Sequence, residues 1–450
     1  MTTVRFDWTD SPIGALVLAV AILVSTPSLA ADEGDADDRA GELSKPARRP
    51  QAGALRFGLD PLLIEAARLT NHPQASNTFA LRTQWYLIGK TTPSIEWRTG
   101  LRLDGDAQQG GATDSESTKA QLGDTYLRWR GGDTRLTAGM QTVVWGRVDA
   151  VSLIDRVARV DLRRFALDEL KDRRLPQPAL RWEQEWGPYK SDLIWLAGFH
   201  EALMPADGSV WHPVNRGRAQ VLGIDPMPNL APFYAAAVID QVNHQSGGGA
   251  LRITHAGAPF DYGFTLGRVR QSLPHFQFDP VAGRIRSSHP TNRFASVDFE
   301  ISGDAATWRG EVAYTRDVPM TSLAGQTLTA ASLEAAAGVE FFPGGRDTRV
   351  NLQMLLRSVN VGQDTYELQR YASINGEVES SFDQGRWKAS LRFAGGLNIN
   401  DSYLSPRLTF VGWEPHELYI AVHRFSGEPR GFGGFMRNNN AVAIGVKTRF

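Results

Sequence analysis

Ser94-Ile95-Glu96-Trp97-Arg98-Thr99-Gly100-Leu101-Arg102-Leu103 puts Ile95, Trp97, Leu101 and Leu103 on one side of an extended chain and Glu96, Arg98 and Arg102 on the other. Side chains that alternate with a period of two define a β-strand with one apolar and one polar face. The pattern recurs. Val350, Leu352, Met354 and Leu356 oppose Arg349, Asn351, Gln353 and Arg357, and Trp387, Ala389, Leu391 and Phe393 oppose Lys388, Ser390 and Arg392. From Gly53 onward the chain repeats this texture, broken by turns rich in Gly, Pro, Asp and Asn.

Turn lengths separate a soluble sandwich from a membrane barrel. Tight connections fall at Gly89–Thr92, Gly131–Asp133, Gly187–Tyr189, Ala256–Pro259, Gly303–Ala305, Pro343–Arg346, Asp383–Gly385 and Glu414–His416, and longer, variable loops lie between them. Strand, short turn, strand, long loop is the rhythm of an outer-membrane β-barrel, with short turns at the periplasmic rim. Eight short turns with both termini on one side predict 18 antiparallel strands, the first being Ala54–Leu59; that first strand and the stretch at Tyr366–Phe382 are the weakest and leave 16 as the alternative count. Trp129, Trp186, Tyr189, Trp308, Phe341, Phe342, Trp387 and Trp413 all sit beside a short turn, the placement of an interfacial aromatic girdle.

The ends of the chain agree with this reading. Residues 1–30 carry Arg5, the apolar run Ile13–Val24 and the small residues Ser28-Leu29-Ala30, and are predicted to be a secretory signal peptide. Residues 31–52 read as a disordered periplasmic lead-in, and residues 53–450 as the barrel. Ala441–Phe450 alternates to a terminal Phe450 and is similar to the C-terminal strand read by the barrel-assembly machinery, the expected folding partner.

Composition narrows the function. The 450 residues carry 22 % charged and 42 % hydrophobic side chains with a net charge of −1, which gives no general attraction for nucleic acid. The mean hydropathy of −0.29 averages a lipid face with a water face. The absence of cysteine excludes thiolate metal sites and a Cys nucleophile. The histidines lack metal-ligand spacing, so no metal or cofactor is expected. His423 and Ser426, three apart, point to opposite faces of a strand, so an enzyme is not expected; an outer-membrane hydrolase is the rival it leaves. The segment ahead of the first strand is too short for the plug of an energised receptor.

Of the 48 basic residues only seven are Lys, and the predicted lumen face is rich in Arg. A polar, charged barrel interior contains water, and rings of Arg favour anions. Arg98, Arg102, Arg128, Arg181, Arg309, Arg357 and Arg392 are the candidate pore-lining, solute-contacting residues. The competing reading is that such Arg pair with Glu across the wall and stiffen it.

Loop 145–176 is too apolar for a solvated loop and too charged for a lipid-facing strand, and is expected to fold inward as a constriction, with a short helix near Leu167, Leu170 and Lys171. In that picture Asp149, Asp155 and Asp161 position the loop by pairing with wall Arg, while Arg163, Arg164, Arg173 and Arg174 face solute. The Pro-rich loop Glu201–Pro232 reads as a rigid exposed loop, and the Asp-rich stretch Asp104–Lys119 as solvated surface.

Gly139-Met140-Gln141, Val144-Trp145-Gly146, Asp149, Asp155 and Asp161-Leu162-Arg163 together resemble a pattern in a poorly characterised group of proteobacterial outer-membrane proteins, related in style to alginate-export and porin-like channels. Met140 stands in place of that pattern's Arg, and Ala158-Arg159 in place of its Asn-Pro. The resemblance implies a monomeric barrel with an inward loop and a selective lumen. The function expected is passage of small polar, anionic solutes through a channel that meets outer-membrane lipid on its outside. The rival is an export conduit for a polymer or lipid-like cargo, working with a periplasmic or inner-membrane partner.

Overall fold

Each wall strand exposes its apolar side chains and buries its polar ones, the reverse of a soluble protein. On β9 (Phe260–Arg270), Phe260, Tyr262, Phe264 and Leu266 are exposed while Thr265 is fully buried. The same inversion recurs around the wall, at Trp182, Trp195, Val297, Leu333, Leu391, Ile420 and Ile444. An apolar outer belt over a polar interior is the signature of a strand wall solvated by lipid.

The computed structural model describes residues 55–448 except 60, 61, 71, 150, 242–245, 280 and 346, with backbone alone at 165 and 241. The targeting segment, the lead-in, Arg449 and Phe450 lie outside the described residues. The main sheet holds 20 strand segments, two pairs of which are halves of an interrupted strand, so the wall has 18 antiparallel strands. The first, β1, runs as Leu55–Leu59 and Leu62–Leu69, followed by β2 (Asn77–Thr92) and β3 (Ile95–Gln109). The second interrupted strand, β4, runs as Ser115–Leu122 and Thr125–Gly131. Then come β5 (Thr134–Gln141), β6 (Gln177–Trp186), β7 (Tyr189–Leu196), β8 (Gly248–His255) and β9, already given. The wall continues through β10 (Thr291–Ser302), β11 (Ala306–Thr321), β12 (Thr327–Phe341), β13 (Thr348–Asn360) and β14 (Arg370–Phe382). It ends with β15 (Trp387–Gly396), β16 (Asp401–Trp413), β17 (His416–Gly427) and β18 (Ala441–Thr448).

Leu62–Leu69 of β1 pairs antiparallel with Thr448–Ala441 of β18, which closes the wall. All eight predicted short turns join consecutive strands at one rim, and β1 begins and β18 ends at that same rim. The longer loops therefore mark the outer rim. Trp129, Trp186, Trp308, Phe342 and Trp413 are exposed near the short turns, and Trp186 stacks on Tyr189 with ring centroids 4.9 Å apart.

Two loop expectations are corrected. Asp104–Lys119 is not all solvated surface: β3 runs to Gln109 and β4 starts at Ser115, with Asp104 and Gln108 buried on the inner face. The strands rise further than the apolar pattern shows because inner-face polar residues continue the alternation. The Pro-rich loop is not simply exposed. Val214, Val221, Ile224 and Tyr234 form a core with Phe276 and Ile285 of loop 271–290, so the two loops share a small folded cap. Residues 238–241 add to it, pairing in parallel with 284–287.

Candidate functional site: a strap across the lumen

Residues 145–176 run as a strap through the barrel interior, tied to inward-facing side chains on opposite sides of the wall. It starts on an apolar patch, unusual for an inner face: Trp145, Ile154 and Val157 pack on Ala179, Ile194, Leu196, Ala250, Val269 and Phe294. The Trp145 indole N–H donates to Asp192 on β7 at 2.8 Å. Asp155 Oδ1 accepts the backbone N–H groups of Trp145 at 2.6 Å and Gly146 at 2.7 Å, which bends the strap back on itself.

Glu311 on β11 is the central pin. Its carboxylate accepts the backbone N–H groups of Arg147 (2.7 Å), Val148 (3.2 Å) and Leu153 (2.6 Å) and the Ser152 hydroxyl at 3.2 Å. Backbone donors that water cannot reach need such an acceptor. Beside it, Arg147 Nε reaches Asp298 on β10 at 2.6 Å, Arg156 pairs with Glu334 on β12, and Gln353 on β13 donates to the Val151 carbonyl at 2.9 Å.

The far end is held by charge. Asp161 Oδ2 sits between Arg82 (3.1 Å), Arg102 (2.6 Å) and Arg163 (2.8 Å), and Asp104 meets the same three at 3.0, 2.8 and 2.7 Å. Arg163 also reaches Asp106 at 3.0 Å. Arg164 joins Glu65 of β1 (3.0 Å) to Asp168 (2.9 Å), and Asp168 returns to Arg82 at 2.9 Å. Four guanidinium groups thus meet five carboxylates, and Asp104 and Asp161 are each only 1 % exposed. Burial of this depth tolerates ions only when both signs are present and well hydrogen-bonded. Burial pulls the Asp168 carboxyl upward, but Arg82 and Arg164 outweigh it and hold the group far below the usual carboxylate range. The one-turn helix Leu170–Arg173 then sets Asp172 against Lys447 of β18 at 2.9 Å.

The candidate residues divide as follows. Asp161 pairs with the wall residues Arg82 and Arg102, and Asp149 with the wall residue Arg309 at 3.3 Å and with Asn351. Asp155 pairs with Arg174 of the strap itself rather than with the wall. Arg163 and Arg164, expected to face solute, are buried in the knot at 4 % and 7 % exposure. Arg173 is half-buried, and burial draws its guanidinium down to about 10, still charged at neutral pH.

Among the pore-lining candidates, Arg102, Arg128, Arg181, Arg309 and Arg357 each contact a carboxylate: Asp104, Glu96, Asp192, Glu300 and Glu334 respectively. Arg392 donates to the Leu167 carbonyl at 2.8 Å, and the Arg98 guanidinium lies 4.4 Å over the Tyr86 ring. No local pattern singles out Glu65, Asp168 or the pinning role of Glu311. For Asp104 the one signal is the even-numbered polar series Arg102, Asp104, Asp106, Gln108.

Gly146 explains one fixed point of the Trp-Gly motif. A Cβ there would lie 1.9 Å from Ser152 Oγ and 2.4 Å from Ser152 Cβ. Gly146→Ala is expected to destabilise the strap by about 1–3 kcal/mol, as overpacking does, and adding Ser152→Gly to relieve part of that, since the hydroxyl's bond to Glu311 goes with it. Faster limited proteolysis at the strap in the single variant, and slower again in the double, checks this.

No curated protein matches the chain in sequence. Among solved structures it is similar to OccAB1 of Acinetobacter baumannii, with a TM-score of 0.53 and 10 % identity over 89 % of this chain and 97 % of that one. OccK7 of Pseudomonas aeruginosa gives a TM-score of 0.50 and 10 % identity over 88 % and 99 %. At such identity the likeness concerns the fold. With the apolar belt, that fold makes the chain a β-barrel of the Gram-negative outer membrane. A family model described as "Protein of unknown function (DUF1302)" matches residues 66–413, which hold β2 to β16 and the whole strap, and the chain belongs to that family.

Proposed function

We propose that the barrel is a channel for small polar solutes with a preference for anions, and that the strap is its constriction. An 18-stranded wall is wide enough to enclose an aqueous path, and the strap crosses that path at the level of Glu311 and Asp161. The observation that carries the anion preference is charge left over at the periplasmic half. Among the described residues no carboxylate lies within ion-pair distance of Arg98 or Arg407, whose guanidinium groups each lie 4.4 Å over a Tyr ring, Tyr86 and Tyr419. A ring face holds a cation in place without cancelling its charge. Arg130 and Lys388 are also on the inner face near the short turns and outside any ion pair among the described residues. Together these cations outnumber Glu185 and Glu379 on the inner face of the same half, so the preference is a bias and not a filter.

Planar-bilayer recording in a KCl gradient tests this. The purified protein is expected to conduct, with a reversal potential on the chloride side that moves toward zero in the Arg98→Gln, Arg407→Gln double variant. A reversal potential on the potassium side, or no conductance at all, would overturn the reading.

A further inference from the structure

Three arginines stand in one row on the outer, lipid-facing side of the wall. Arg268 of β9 is directly opposite Arg293 of β10, and Arg293 is directly opposite Arg316 of β11. All three are exposed. Each lies toward the long-loop end of its strand, above the apolar belt. Leu266 and Phe264 lie below Arg268, Val297 and Phe299 below Arg293, and Tyr314 and Val312 below Arg316. Like charges directly opposite one another weaken a sheet, so this row does not serve the wall's own stability. Among the described residues the one carboxylate in reach is Asp317, 3.8 Å from Arg293 Nε.

The row runs on into a groove. Gly249 of β8 is opposite Arg268, and Trp195 of β7 is opposite Gly249. Gly249 carries no side chain, and its strand neighbours leave a trough of about 580 Å³ lined by Leu193, Trp195, Leu251 and Leu266, with Arg268 and Arg293 at its edge. The cations thus stand at the upper edge of an open apolar trough that extends from their row toward Leu193, Leu251 and Leu266 of the belt.

We propose that this is a binding site for a phosphate-bearing lipid of the outer leaflet. Guanidinium groups grip phosphate oxygens bidentately and keep their charge next to apolar surface, which suits them to a headgroup at the lipid boundary. One acyl chain lies in the trough over Gly249, against the Trp195 ring. The named side chains face away from the lumen, while Ile194, Ala250 and Phe294 in the trough's floor belong to the patch on which the strap packs from inside.

Native mass spectrometry of the detergent-solubilised protein tests it, with bis-phosphorylated lipid A, the same lipid without phosphates, and inorganic phosphate as probes. The folded protein should retain lipid A. Because charge-assisted contacts are lost, the Arg268→Gln, Arg293→Gln, Arg316→Gln triple variant should bind it about tenfold more weakly or worse. Trp195→Ala should weaken binding with the arginines intact, and inorganic phosphate should fail to displace the lipid. A heat-shifted gel band confirms folding, since these side chains lie on the outer surface. Equal retention by wild type and triple variant, equal binding of the phosphate-free lipid, or full displacement by inorganic phosphate would overturn the proposal.

Discussion

Excising Ser152–Arg164 and bridging the gap with a short Gly-Ser linker is expected to raise single-channel conductance several-fold in an otherwise folded barrel. The segment carries the Leu153 N–H and Ser152 hydroxyl held by Glu311, the Arg156–Glu334 pair, and the Asp161 and Arg163 members of the knot. Without it nothing ties the middle of the strap to the wall, and a flexible linker without bulky side chains replaces the crossing segment. The wall strands keep their full ladders, because none of the excised backbone belongs to them. Unchanged conductance would show that solutes do not pass where the strap lies.

Asp161→Ala should have the second-largest effect. It removes the carboxylate shared by Arg82, Arg102 and Arg163 while leaving all three guanidinium groups buried. Stripping one partner from a buried ion pair costs about 3–5 kcal/mol, since the remaining charge has nowhere to be solvated. The strap is expected to loosen at its far end, with noisier currents and a lower melting temperature in detergent. Asp104 still faces the same three arginines, so the loss falls on the strap more than on the β2–β3 hairpin. A melting temperature and current noise equal to wild type would mean that the knot does not hold the strap.

The wall was legible because lipid imposes a period of two on every strand, and the eight short turns could be counted directly. Trp97 and Leu101 against Arg98 and Arg102 carry that information within ten residues. The strap was legible in outline for the same reason, since Val, Ile and Leu mixed with Asp and Arg suit neither water nor lipid. Its partners were not. Glu65, Arg82, Asp104 and Lys447 meet the strap across sequence separations that no local pattern encodes, and local chemistry does not tell whether an Arg pairs or faces solute. Arg163 and Arg98 illustrate this: one is enclosed by three carboxylates, the other lies over a tyrosine.

The knot also bears on how the wall is completed. Arg164 meets Glu65 of the first strand, Asp172 meets Lys447 of the last, and Tyr419 of β17 donates its hydroxyl to Glu65 at 2.6 Å. Strand ladders alone would let the seam between β1 and β18 zip gradually. The strap spans that seam: its contacts to Glu65 on one side and Lys447 on the other are complete only where β1 and β18 are paired. A mid-chain segment thus serves as the latch that distinguishes a shut cylinder from an open sheet.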